Sequence, residues 1–69
     1  MKMQTTVRGF TVKGLDSFDG SYFTSGLSYT LSGAKKDYAF MMRSKQFDEE
    51  TKKSLTIIKV LEVEELVDI

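Results

Sequence analysis

The sequence predicts a mainly β fold: a small antiparallel sheet, or an OB-like or SH3-like partly open barrel, of about five strands with one short helix near residues 48–54. Three observations carry this. Thr, Val, Ile and aromatic residues recur through segments 3–13, 21–32 and 55–66, and such side chains suit a pleated surface. Glycines at 9, 14, 20, 26 and 33 are spaced like turn and bulge markers, not like a phosphate-cradling loop. Leu27, Tyr29 and Leu31 alternate with Ser28, Thr30 and Ser32, the period of a half-buried antiparallel strand.

The elements follow in order. Residues 3–13 make a first strand in which plain alternation fails, since Val7 points one way and Phe10 and Val12 the other. A β-bulge at Gly9 brings the three to one face. Asp19-Gly20 predicts a two-residue type I′ hairpin joining strands around 14–18 and 21–25. Gly26 permits a bend before the strand 27–32, and Gly33-Ala34-Lys35-Lys36 reads as a basic turn. Residues 37–43 form the next strand, with Tyr38, Phe40 and Met42 on one face and apolar groups on both.

Asp48, Glu49 and Glu50 precede Lys52 and Lys53, the order that complements a helix dipole, and Glu49 with Lys53 stands at i and i+4. That predicts one or two helical turns at 48–54, held by Phe47 and Leu55. Residues 55–66 contain Thr56, Ile57, Ile58, Val60 and Val63, whose branching favours a strand over a continued helix, and residues 67–69 form its fraying end.

The 69 residues form one domain, 1–69, near the lower limit for a fold held by its core alone. There is no cysteine, so stability rests on packing the aromatics or on oligomerisation, and a homo-oligomer is expected. No signal-like apolar stretch occurs, and the longest apolar run, residues 39–42, is far too short for a membrane helix. A cytoplasmic protein with no membrane contact is expected.

An enzyme is not. Histidine and cysteine are absent, which removes the commonest general base and the strongest nucleophile. The carboxylates at 48–50 and at 62, 64 and 65 read as helix-start and strand-surface charges. Residues 16–20, DSFDG, fail the calcium-loop pattern because Leu27 stands where the closing glutamate belongs. No cofactor or metal is expected.

Binding remains, in two forms. Formal charge is zero, but residues 1–46 carry seven basic and three acidic groups while 47–69 carry three and seven. The basic half holds the rings that a single-stranded nucleic-acid binder would use for stacking. Its site would comprise Tyr22, Phe23, Arg8, Lys35, Lys36, Arg43 and Lys45. Tyr29 and Tyr38 fall with apolar neighbours and are expected inside. Tyr22 and Phe23 are adjacent, so one of them leaves the core. The alternative is a protein-interaction module, a homo-oligomer, adaptor or inhibitor, using the two-sided strand 37–43 and the Ile57-Ile58 pair as exposed sheet faces or edges.

Overall fold

The Thr- and Val-rich amino-terminal segment runs as one long strand, β1 (Lys2–Leu15), and this strand organises the molecule. The structure, a computed structural model, describes residues 2–67. β1 pairs antiparallel with the short β2 (Tyr22–Thr24) on one side and with β3 (Thr56–Leu66) on the other, in the order β2-β1-β3. The fold is mainly β, as expected, but the sheet is open and three-stranded. The five-stranded barrel is not present, because residues 31–43 form a helix and β2 spans only three residues.

The predicted bulge is where Gly9 stands. Val7 opposes Leu61 and Gly9 opposes Val60, leaving Arg8 as the extra residue. Directly opposed residues share a face. The shift therefore places Val7, Phe10 and Val12 together, with Leu61, Lys59 and Ile57 across from them. Gly9 has φ 154°, and a Cβ there would collide with the Ser28 carbonyl oxygen that accepts from the Phe10 N–H.

The β1–β2 hairpin is also present, though its turn is longer than predicted. Gly20 has φ 75° but Asp19 does not have positive φ, so no type I′ turn forms. Instead the Asp16 and Asp19 carboxylates accept from the N–H groups of Phe18 and Ser21, at 2.8 Å each, and shape the connection from 16 to 21.

The main correction is α1 (Leu31–Arg43), which replaces the strands expected at 27–32 and 37–43 and the turn expected at 33–36. Thr30 caps it, its hydroxyl accepting from the Gly33 N–H at 3.1 Å. Leu31, Ala34, Tyr38 and Met41 recur at helical spacing, and no residue from 31 to 43 is β-branched. The second helix, α2 (Glu49–Ser54), lies where predicted, with Asp48 as its N-cap accepting from the Thr51 N–H at 2.8 Å. Its surface ion pair is Glu50 with Lys53 at 3.9 Å, not Glu49 with Lys53. β3 follows as expected. Of the predicted fraying end, Val67 is described and lies outside β3, whereas positions 68 and 69 lie outside the described residues. No described helix is long and apolar enough to cross a membrane.

Both helices cover the Val12 face of the sheet. Among the described residues, the buried apolar side chains are Val12, Ala34, Met41 and Leu55, flanked by Phe23, Tyr38, Phe47 and Ile57. Phe23 and Phe47 stack with ring centroids 5.4 Å apart. α2 is fastened to the hairpin by polar bonds: Ser17 Oγ donates to Asp48 Oδ2 at 2.6 Å, and the Leu15 N–H donates to Ser54 Oγ at 2.8 Å.

Gly14 lies under this core, where an added Cβ would sit 2.5 Å from Phe23 Cζ and 2.7 Å from Leu55 Cδ2. Gly14→Ala is expected to destabilise the fold by about 1–3 kcal/mol in urea unfolding, through overpacking. The Ser17 hydroxyl and then the Thr51 N–H and hydroxyl hold the Asp48 carboxyl below the ordinary carboxylate range. A depressed folded-state pKa gives stability that is complete above the unfolded value and lost as the pH falls through the folded one. Thermal unfolding from neutral pH down to about pH 2 should therefore show a shallower acid decline for Asp48→Asn than for the parent; parallel declines would refute this.

Candidate interaction surface

The hairpin register settles which adjacent ring leaves the core. Gly14 opposes Phe23 and Leu15 opposes Tyr22, so the two rings project to opposite faces. Phe23 enters the helix-covered side. Tyr22 turns to the open side, is 69% exposed, and has Lys13 Nζ 4.5 Å from its ring centroid. Lys13 was not among the predicted site residues, and the alternation that puts it beside Tyr22 emerges only from the hairpin register. Tyr38 is partly buried as expected, whereas Tyr29 and Phe40 are exposed, because α1 and its cap replace the strands that would have buried them.

The predicted cations divide between the two sides of the sheet. Arg8, the bulge residue, donates from Nη1 to Glu62 Oε2 at 2.7 Å, and that bond keeps its guanidinium pKa raised. Lys35, Lys36 and Arg43 lie exposed on α1, with Arg43 in the last turn where a cation suits the helix dipole, and Lys45 follows the helix. Tyr22 and Phe23 thus neither share a face with each other nor meet the helix cations as one patch.

Ile57 and Ile58 separate in the same way. Ile57 packs on the core, while Ile58 lines an open-face groove of about 400 Å³ with Arg8, Thr11, Thr24, Leu27 and Val60. The Thr11 hydroxyl is buried under this groove and has no hydrogen-bond partner among the described residues. Among those residues no three His, Cys, Asp or Glu side chains cluster to hold a metal ion.

The largest unpartnered feature comes from a mismatch in strand length. β2 and the Phe10–Ser28 bridge cover β1 only from Phe10 onward, yet β1 continues to Lys2 against β3. Residues 2–8 and 61–66 therefore project as a two-stranded arm. The molecule measures 54 × 27 × 14 Å, with a radius of gyration of 15.4 Å against about 11 Å for a compact chain of this length. The arm carries Met3, Val7, Leu61 and Val63 on the side continuous with the core, all at least half exposed. Thr5 and Glu65 share that side, while Lys2, Gln4, Thr6, Glu62, Glu64 and Leu66 occupy the other. Accessible surface totals 5499 Å², where a compact monomer of 7.8 kDa exposes about 4,400 Å².

No protein-family model, curated protein or solved structure matches this chain.

The two adjacent rings are expected to behave differently on truncation. Phe23→Ala should cost about 2–4 kcal/mol in urea unfolding by opening the stack on Phe47. Tyr22→Ala should stay within about 0.5 kcal/mol of the parent. Equal losses would contradict the assignment of faces.

Proposed function

We propose that this chain is a non-catalytic protein-interaction module that assembles with a second polypeptide through its β1–β3 arm. One observation carries the reading: the arm leaves an apolar sheet face uncovered, and the surplus surface is about 1,100 Å². A standard interface covers about 800 Å² on each partner, so the surplus suffices for one. The sparse core supports the same conclusion. Small domains without disulfides or metals commonly gain stability by burying surface against a partner, and Met3, Val7, Leu61 and Val63 of the arm are among the large apolar side chains that one subunit leaves exposed. A row of Met, Val and Leu flanked by charged residues is the composition of an interface core with a polar rim.

Single-stranded nucleic-acid binding is a second reading, supported by the exposed Tyr22 ring beside Lys13. It predicts a salt-sensitive shift of fluorescent oligo-dT at micromolar protein, lost in Tyr22→Ala. The division of the cations between two sides of the sheet makes it the weaker of the two.

Light scattering tests the interaction reading. The mass is expected to rise with concentration from 7.8 kDa toward twice that value. Replacing Leu61 and Val63 together by Lys should return it to 7.8 kDa with an unchanged circular-dichroism spectrum, because both side chains lie outside the subunit's own core. A parent that stays at 7.8 kDa up to millimolar concentration would overturn self-assembly through the arm.

A further inference from the structure

We infer that the second polypeptide is another copy of this chain, joined by antiparallel pairing of the two β3 strands about a two-fold axis at Glu62. The inference rests on the interaction reading and specifies its partner and geometry. β3 pairs with β1 along one edge, and no described strand covers the other. Antiparallel pairing of an edge with its own copy closes after two subunits, whereas pairing β3 with the free part of β1 would propagate head to tail. The closed form yields a continuous sheet of order β2-β1-β3-β3-β1-β2.

Sequence selects the register. Opposed residues share a face, so a perpendicular two-fold must pass through a residue and not between two. Centring on Lys59 sets Lys59 against Lys59. Centring on Val60 or Leu61 sets glutamates against Ile58, Val60 or Ile57, and centring on Val63 sets Glu62 against Glu64. Centring on Glu62 sets Lys59 against Glu65, Leu61 against Val63, Ile58 against Leu66 and Ile57 against Val67, each pair occurring twice. It also sets Val60 against Glu64, but of these registers it alone gives Lys59 a carboxylate partner, and it pairs three sets of apolar residues.

The two central Glu62 side chains face each other in that register. Each is already held by Arg8 of its own chain at 2.7 Å, so the axis is crossed by two neutralised ion pairs and not by two bare carboxylates. The arm of one copy then lies along the β3 of the other, and its apolar side meets the flank of the helix layer. Phe40 lines a groove with Phe23 and Thr24 of β2, and Leu31 and Met42, both partly exposed, lie by helical spacing on the opposite side of α1, the side toward β3.

Charge reversal and cysteine pairing test the register together. Lys59→Glu and Glu65→Lys should each weaken dimerisation by about tenfold or more in sedimentation equilibrium, since each creates two like-charge oppositions. The double exchange should recover the parent affinity to within about threefold. The chain has no native cysteine. Under mild oxidation Glu62→Cys should cross-link to itself, and Val60→Cys should cross-link to Glu64→Cys but not to itself, as disulfide reach requires. A dimer that ignores the charge reversals and leaves Glu62→Cys unlinked overturns the register but preserves the interaction reading. A strictly monomeric parent overturns self-pairing and self-assembly through the arm alike.

Discussion

Pairing between β1 and β3 is the constraint on which the rest of this structure depends. It joins Lys2 to Leu66 at one end and Lys13 to Thr56 at the other, spanning nearly the whole of both strands. The helices rest on the inner half of this ribbon, and β2 extends it by only three residues. Val12, the one large side chain fully enclosed among the described residues, sits on β1 opposite Ile57, where ribbon and helices meet. Were β1 shifted by one residue against β3, Val12 would turn to the open face and Thr11 would enter the core. The Arg8–Gly9 bulge prevents such slippage, because it sets the register on one side of Gly9 independently of simple alternation and fits only one offset.

How well the sequence exposed each element follows from the kind of signal it carried. β3 was legible because β-branched side chains at 56, 57, 58, 60 and 63 oppose a helix, four of them within its first five residues. α2 was legible because Asp48 and the charges around it follow cap and dipole rules that act over a single turn. α1 was misread. Its apolar residues at 38, 40 and 42 mimic alternation, and Gly33 at the third helical position looks like a turn. The absence of any β-branched residue from 31 to 43, after a capping Thr30, was the available and stronger sign. Residues 27–31 alternate without forming a strand, since Gly26 and the α1 cap leave only Ser28 bridged to β1.

The candidate surface was less legible than the fold. That Tyr22 and Phe23 must diverge followed from strand geometry, but which ring left the core depended on a register fixed by the hairpin. The arm has no local signature at all. It exists because β1 is fourteen residues long and β2 three, a comparison between separate segments that no short window contains. The open face and the helix-covered side then divide the basic half of the chain, so residues that look clustered in sequence stand on opposite sides of one thin sheet.

The same architecture bears on how the chain reaches its native state. The hairpin from β1 to β2 closes over a handful of residues, yet β1 and β3 lie some forty to sixty positions apart. Bringing distant partners together costs chain entropy before any contact is made, and rates fall as the mean separation of contacts grows. Closing the β1–β2 hairpin therefore costs less chain entropy than closing the β1–β3 ribbon. By that rule the long-range pairing of β1 with β3, and not either local helix, is the slow kind of contact in this small protein.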